Sequence, residues 1–432
     1  LLASVKTSLA SINTTKSFRS NSVNTSETAK SYFSVTADGS AIPGSYQVSV
    51  ESLARAEMQI FDLNGKTGST YDETTDTIGE NATLTINWDN TTKASDASFD
   101  SDGTTISISS TDTIQEVATA LNDVKGIQSY LLFDGSNYQL VVQSEKSGLD
   151  YGFSLSTDSG TVLDPSDSST TTTTPQNAKI KVNGVEVQNS TNAFTGTVPG
   201  LTINAIAANA GTNYDVTVAL DTSAIQDKVK TFVTNYNKAV EYYNARNTYN
   251  SETGAKGVFF GDATTRNVMN RLNQLITNRY GSNGYTASSG EFLTTATGAN
   301  LTLDSLSTIG ITMDTKGKLS LNSTKFNTAV LDYQDDVEAL FSNQLDSASD
   351  PVSFSNVFSA EVKTHTLSLT GTFASVSSSI ENQVKSLNKQ ISRWDERIAN
   401  YEARLLKNFT AMEQASGQFQ STGAFLSNFF GG

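Results

Sequence analysis

Hydrophobic residues in this chain follow two periods, and the changes between them mark its organisation. Near the C-terminus Ile380, Val384, Leu387, Ile391, Trp394, Ile398, Tyr401 and Leu405 step 4-3-4-3-4-3-4, and Met412 continues the series seven residues on. This is a heptad seam. A helix with one continuous apolar stripe cannot bury it against itself, so it needs a mate from this chain or another. A second seam, Ile225, Val229, Phe232, Tyr236, Ala239 and Tyr243, follows Asp221-Thr222-Ser223 with steps 4-3-4-3-4. Aromatics at that spacing predict packing within a helical bundle rather than a ligand box. At the other end Leu2, Val5, Leu9 and Ile12 step 3-4-3, the end of an amphipathic helix.

Between these regions the period drops to two. Tyr46, Val48 and Val50 alternate with polar residues after a Pro43-Gly44 turn, and Leu84/Ile86 and Ile106/Ile108 alternate likewise. Thr113 or Asp112 caps a short helix bearing Ile114, Val117, Ala118 and Leu121, followed by a hairpin turning at Asp134-Gly135. The run Asp164–Ser169, Thr170–Thr174 and Pro175 reads as a linker between two β units, the second turning at Asn183-Gly184. Later elements are a helix over Ala263–Tyr280, a β excursion near 301–321 around Asp314–Gly317, a helix at Asp335–Phe341, a break at Asp350-Pro351 and the long final helix. The pattern predicts an α+β multidomain chain in which helices from both ends enclose β insertions. Both termini are expected in one rod-like bundle, with the seam covered by an intramolecular hairpin, by another chain, or by both in different parts.

The absence of cysteine removes disulfides, thiolate metal sites and thiol nucleophiles. No apolar run approaches the ~18 residues that span a bilayer. The opening LLASVKTSLA lacks a Met and a basic leader, so the sequence reads as a processed or truncated chain that begins inside a helix. Net charge is −15, and residues 66–221 hold six Lys/Arg against twenty Asp/Glu, a local net of −14. An acidic surface of this kind disfavours nucleic acid. The near-neutral remainder can pack closely against copies of itself.

Candidate chemistry is sparse. His365 is the sole histidine, no nucleophile elbow accompanies any serine, and a polar or capping role is expected for it. Gly65-Lys66-Thr67 lacks the leading glycine of a phosphate loop and reads as a turn. Ser386 and Lys389 flank the seam without the rest of a penicillin-binding pattern. Asp96, Asp100 and Asp102 lack calcium-loop spacing and read as a solvated turn. Asp335, Asp336 and Glu338 sit where carboxylates oppose a helix dipole. No cofactor, metal or catalytic residue is assigned, and the chain reads as a non-enzyme. The apolar tail Phe419, Phe425, Leu426, Phe429 and Phe430 reads as a docking site or a segment that orders only with a partner.

Several stretches, in order, resemble the flagellar filament cap family, hook-associated protein two (FliD). They are Gly44–Glu57 (G-S-Y-Q-V-S-V-E-S-L-A-R-A-E), Thr113–Ser144, Val229–Val240, Gly261–Arg266, Leu306–Leu321, Asp336–Phe341 and Phe409–Gln414. The family's extreme N-terminal segment is not matched. The resemblance implies a helical leg domain from residues 1–65 and 222–432 with a terminal coiled-coil helix at 376–420. A middle β domain would span 171–221 and an outer head 66–170. It also implies self-assembly into a ring at the extracellular filament tip after export without a cleaved signal. Flagellin is the implied partner beneath the ring, with an export chaperone at the C-terminal helix and host glycans as further partners. Alternatives are a glycan-binding adhesin and a hook–filament junction or flagellin-like protein.

Overall fold

In this computed structural model the described residues are 1–63, 70–89, 99–100, 102–158, 162–166, 170–281, 293–295, 298–342 and 352–431. Gly65-Lys66-Thr67, Asp96, the Asp350-Pro351 break and the Phe429 side chain lie outside them. Buried apolar residues gather into three separate cores, and the polypeptide passes from the first through the second to the third and returns by the same route.

The helical core joins the N-terminal residues to the C-terminal half. Helices α1 (Leu2–Ala10) and α2 (Thr15–Phe18) supply Val5, Leu9 and Phe18, and Ile12 follows α1, all fully buried. After α3 (Ile114–Asn122) in the head, the bundle resumes with α4 (Thr222–Arg246), whose first turn is capped by the Asp221 carboxylate accepting from the Ala224 amide. Helices α5 (Ala263–Thr277), α6 (Ser323–Asp332), α7 (Gln334–Phe341) and α8 (Phe354–Thr366) complete it, with the hairpin of Ile311–Met313 and Leu319–Leu321 against α4. Phe232, Phe354 and Phe358 meet edge to face at 5.6–5.9 Å in its centre.

Two polar braces tie the N-terminal piece to the bundle, one to α7 and one to α4. Arg19 donates to Glu338 at 2.6 Å, and Lys228 donates to the Ser17 carbonyl at 2.6 Å; burial holds that ammonium below its ordinary pKa. Asp336 accepts the Thr302 and Leu303 amides, each at 2.8 Å. The carboxylates that the sequence placed against a helix dipole therefore anchor loops and an arginine.

The second core lies between two antiparallel sheets. Five strands run in the order Asn21–Thr25, Tyr214–Leu220, Gly44–Ser52, Ala178–Val182, Val185–Asn189. Ala193–Thr195, Leu201–Ala205 and Phe33–Ala37 form the other. Asn183 (φ 50°) and Gly184 (φ 84°) make the predicted two-residue turn, which needs positive φ at both positions. Residues 21–54 were expected with the helical leg. They are instead strands and core of this unit, because their period-two faces find partners some 130–200 residues away and not in the bundle.

The third core, the head, packs α3 against a four-stranded sheet (Thr171–Thr173, Met58–Asp62, Tyr138–Ser144, Ile127–Phe133), beside a three-stranded one (Thr104–Ile108, Ala82–Trp88, Phe153–Thr157). Thr113 and Glu116 form the reciprocal cap that starts α3. The threonine run is not a free linker: Thr171–Thr173 pairs with Met58–Ile60 as an edge strand, as suits β-branched side chains. Asp100 and Asp102 accept amides of Lys125 and Trp88, so they clamp backbone.

Tyr236, almost fully buried, donates to Asn273 Oδ1 at 2.6 Å, and burial pushes its phenol pKa up. The folded state therefore resists ionisation that the unfolded chain accepts near pH 10, so stability present below that pH is lost above it. Urea denaturation of the helical core at pH 8 and pH 11 is expected to show this loss. In Tyr236→Phe the alkaline loss is smaller, while about 1 kcal/mol disappears at pH 8 with the hydrogen bond.

Candidate assembly interface

The final helix, α9 (Thr372–Phe430), has 59 residues and a length of about 88 Å. It starts in the bundle and then leaves it. Leu367–Gly371 joins it to α8, and a Cβ on Gly371 would stand 2.4 Å from the Leu367 carbonyl oxygen, so this turn has room only for glycine. His365, in the last turn of α8, bridges the joint: Nδ1 lies 3.0 Å from Thr372 Oγ1 and Nε2 3.0 Å from Glu361 Oε1. Arg271 of α5 reaches the same glutamate at 3.4 Å. Phe373 packs on the helical core. With Leu1, Leu2, Tyr242, Tyr243, Phe259 and Met269 it lines an apolar cavity of about 550 Å³ at the root of the helix.

From Ser377 onward every described side chain of α9 is exposed. Ile380, Val384, Leu387, Ile391, Trp394, Ile398, Tyr401 and Met412 are each about half exposed, and Leu405 is 37% exposed. The seam predicted from the sequence is thus a real stripe on a real helix, and no described element of the chain covers it. This corrects the expected rod in which both chain ends zip together. α1 belongs to the bundle, packed on α4 and α8, and α9 meets the bundle chiefly through α8. The buried face of α1, carrying Val5 and Leu9, is taken up by α4 and α8.

The seam is also chemically uneven. Arg397 lies over the Trp394 ring (4.3 Å) and Arg404 over Tyr401 (5.3 Å), each shielding an aromatic that water would otherwise wet. Asn408 takes the next seam position after Leu405. From Leu406 on the apolar residues spread: Leu406, Phe409, Phe419, Phe425 and Phe430 are 61–78% exposed on more than one face. Gly417 and Gly423 interrupt this tip with open space around them.

The other predicted packing residues behave differently. Ile225, Val229, Phe232 and Tyr236 are fully or almost fully buried in the bundle, and Tyr243 is partly buried at the rim of the cavity. Sequence reasoning did not single out Phe373, Gly371 or the Glu361–His365–Thr372 bridge. Phe373 could have been found, since it continues the seam register seven residues before Ile380. The joint glycine and the bridge depend on a turn with no periodic signal. Among the described residues, no group of three or more His, Asp or Glu is placed to hold a metal, and no helix is long and apolar enough to cross a membrane.

Known proteins supply the context for this geometry. The model for the C-terminus of flagellar hook-associated protein 2 matches residues 175–421, and that for its N-terminus matches residues 1–57. The chain belongs to the flagellar hook-associated protein 2 family. The Escherichia coli K12 member is 27% identical over 434 residues, covering 96% of this chain and 84% of its own. The A-type member of Pseudomonas aeruginosa is 25% identical over 460 residues, 98% and 85%. The crystal structure of the flagellar cap protein FliD D1-D2-D3 domains from E. coli superposes with a TM-score of 0.67 at 26% identity, covering 88% of this chain and 97% of that one. The adhesin and junction alternatives are not favoured by these matches. The family models take in the bundle, the middle sheets and the seam but leave out 58–174, which includes most of the head core.

An uncovered helix interior tolerates glycine poorly, at roughly 1 kcal/mol each relative to alanine. Gly417→Ala with Gly423→Ala is expected to raise α9 helicity by circular dichroism and to slow amide exchange across residues 406–430. Gly371→Ala is expected to do the opposite at the joint, accelerating exchange at residues 365–376 while the head is unchanged.

Proposed function

We propose that this chain is a non-enzymatic cap of the bacterial flagellar filament. Copies assemble into a ring at the extracellular tip, and the chain acts on flagellin as subunits are added. The observation that carries the reading is the conjunction of family membership along the chain's length with a 59-residue helix whose apolar seam has no intramolecular cover. Three cores support a division of labour: the helical core as leg, the two-sheet core as middle domain and residues 58–173 as outer head. Export without a cleaved signal through the flagellar apparatus accords with a chain that has no cysteine to oxidise. The apolar tip around Phe419 and Leu426 suits an export chaperone before assembly and flagellin after it. A host glycan at the head is the weaker reading.

Energetics favour reversible rather than permanent contacts. Covering a half-exposed seam side chain gains on the order of 1 kcal/mol. Association costs about 4–15 kcal/mol in lost rigid-body freedom. A seam of this length is therefore of the same order as the cost, so neighbours can be exchanged as each subunit enters.

Leu387→Ala with Ile391→Ala tests this. Both side chains are exposed in the isolated chain, so the thermal unfolding of bundle and head is expected to stay within about 0.5 kcal/mol of the parent. Oligomer mass by light scattering is expected to fall, and complementation of swimming in a cap-deficient strain to fail with more flagellin lost to the medium. Unchanged mass and normal swimming would remove the seam from the function.

A further inference from the structure

The polypeptide crosses between the two-sheet unit and the head twice, at residues 54–58 and 173–178, close to where the two family models end and resume. Arg55 and Gln176 pair the crossings, exchanging amide-to-carbonyl hydrogen bonds at 2.9 and 3.1 Å. The head's own loop 145–152 is seated on them. The Gly148 amide donates to the Arg55 carbonyl (3.0 Å), the Leu149 amide to Asn177 Oδ1 (2.9 Å) and the Ser147 hydroxyl to the Ser190 carbonyl (2.7 Å). A Cβ on Gly148 would stand 2.6 Å from Ser190 Cβ, and one on Gly152 2.9 Å from Pro175 Cγ, so the seat is close-fitting. One buried acid closes this neck. The Glu57 carbonyl accepts the Ser144 amide at 2.9 Å and its Oε2 accepts the Phe153 amide at 2.8 Å, so this residue clasps both ends of the loop.

The surroundings of Glu57 suit an acid that carries its proton. Among the described residues no Lys or Arg is paired with it: Arg55 donates to Gln176 Oε1 at 2.6 Å, and Lys146 lies over the Phe99 and Tyr151 rings. The other charges on the elements around it are acidic, Asp89 against Gly152, and Glu145 and Asp150 on the loop itself. Gln59 Nε2 lies 3.3 Å from Glu57 Oε1, while Gln59 Oε1 and the hydroxyls of Ser129 and Ser144 are buried with no hydrogen-bond partner among the described residues. Gln59 and Ser129 flank Val142 in the sheet, so they share its core-facing side with Glu57 and Ser144. Turning the Gln59 amide end for end lets its oxygen accept from a protonated Glu57, which a charged carboxylate cannot offer. Burial is the largest influence on this carboxyl and raises its pKa. The Phe153 and Gln59 hydrogen bonds oppose that, and the Asp89 charge adds to it. We infer that the neck is proton-operated: with its proton Glu57 holds loop 145–152 seated on residues 175–177 and Ser190, and on losing the proton it lets that loop work loose.

A carboxyl whose folded-state pKa lies above its unfolded one stabilises the fold in its protonated form. That contribution is fully present below the ordinary value of 4.5 and is lost as pH rises through the raised one. Amide hydrogen exchange of the full chain, read by mass spectrometry at pH 5 and pH 8 and corrected for intrinsic rates, tests this on peptides covering 144–153 and 174–178. In the parent, protection there is expected to fall about tenfold between the two conditions. Glu57→Gln, a neutral side chain of the same shape, is expected to keep the parent's pH 5 protection at both. No fall in the parent, or an equal fall in the variant, would overturn the proposal. So would a Glu57→Gln chain that is less protected than the parent at pH 8 or does not fold, because the neck would then need the charge.

Discussion

A helix of 59 residues with one continuous apolar edge and no cover of its own is the constraint on which the rest of the molecule depends. Isolated helices gain little from propensity alone and most of their stability from packing. Among the described residues, none packs on that edge beyond Ser377. The bundle's task is then to hold the root of that helix firmly, and its polar anchors concentrate there and at the N-terminal piece. Arg19–Glu338, Lys228 on the Ser17 carbonyl and the His365 bridge each tie segments that are distant in sequence or lie across a turn.

The β units are built on a different economy. Their cores are closed, with tyrosine, phenylalanine and valine sealed between sheets, and their surfaces carry most of the chain's negative charge. Acidic lobes held near one another repel, which sets a spacing between copies while keeping them soluble. The near-neutral helical portion bears no such penalty and can be packed at close quarters. Attraction is thus placed on α9 and repulsion on the head, and the balance can be set by salt because exposed charges are screened within about 8 Å at physiological ionic strength.

Within α9 the proximal and distal halves differ in kind. The stretch Ile380–Leu405 is narrow, regular and edged by charge, as suits one defined mate. Past Asn408 the apolar residues spread around the helix, and Gly417 and Gly423 weaken it. The stem thus presents one narrow edge, and the tip a broad and more easily remodelled surface.

Local periodicity made much of this legible from the residues alone. The two seams, the Thr113 cap, the Asn183-Gly184 turn and the hairpin at Ile311–Leu321 follow from spacing or turn chemistry, each within a few residues of its cause. Strand partnership did not. Residues 21–54 read as strands, yet their assignment to the middle sheets rests on pairing with Tyr214–Leu220 and Ala178–Val182, and Thr171–Thr173 became a strand only because Met58–Asp62 offered an edge. The sequence by itself determined that α9 is an amphipathic helix and which residues form its edge, because a heptad repeat is written in consecutive positions. Only the tertiary structure decided that the edge stays uncovered, since whether α1 had apolar surface left to share depends on how α4 and α8 close around it.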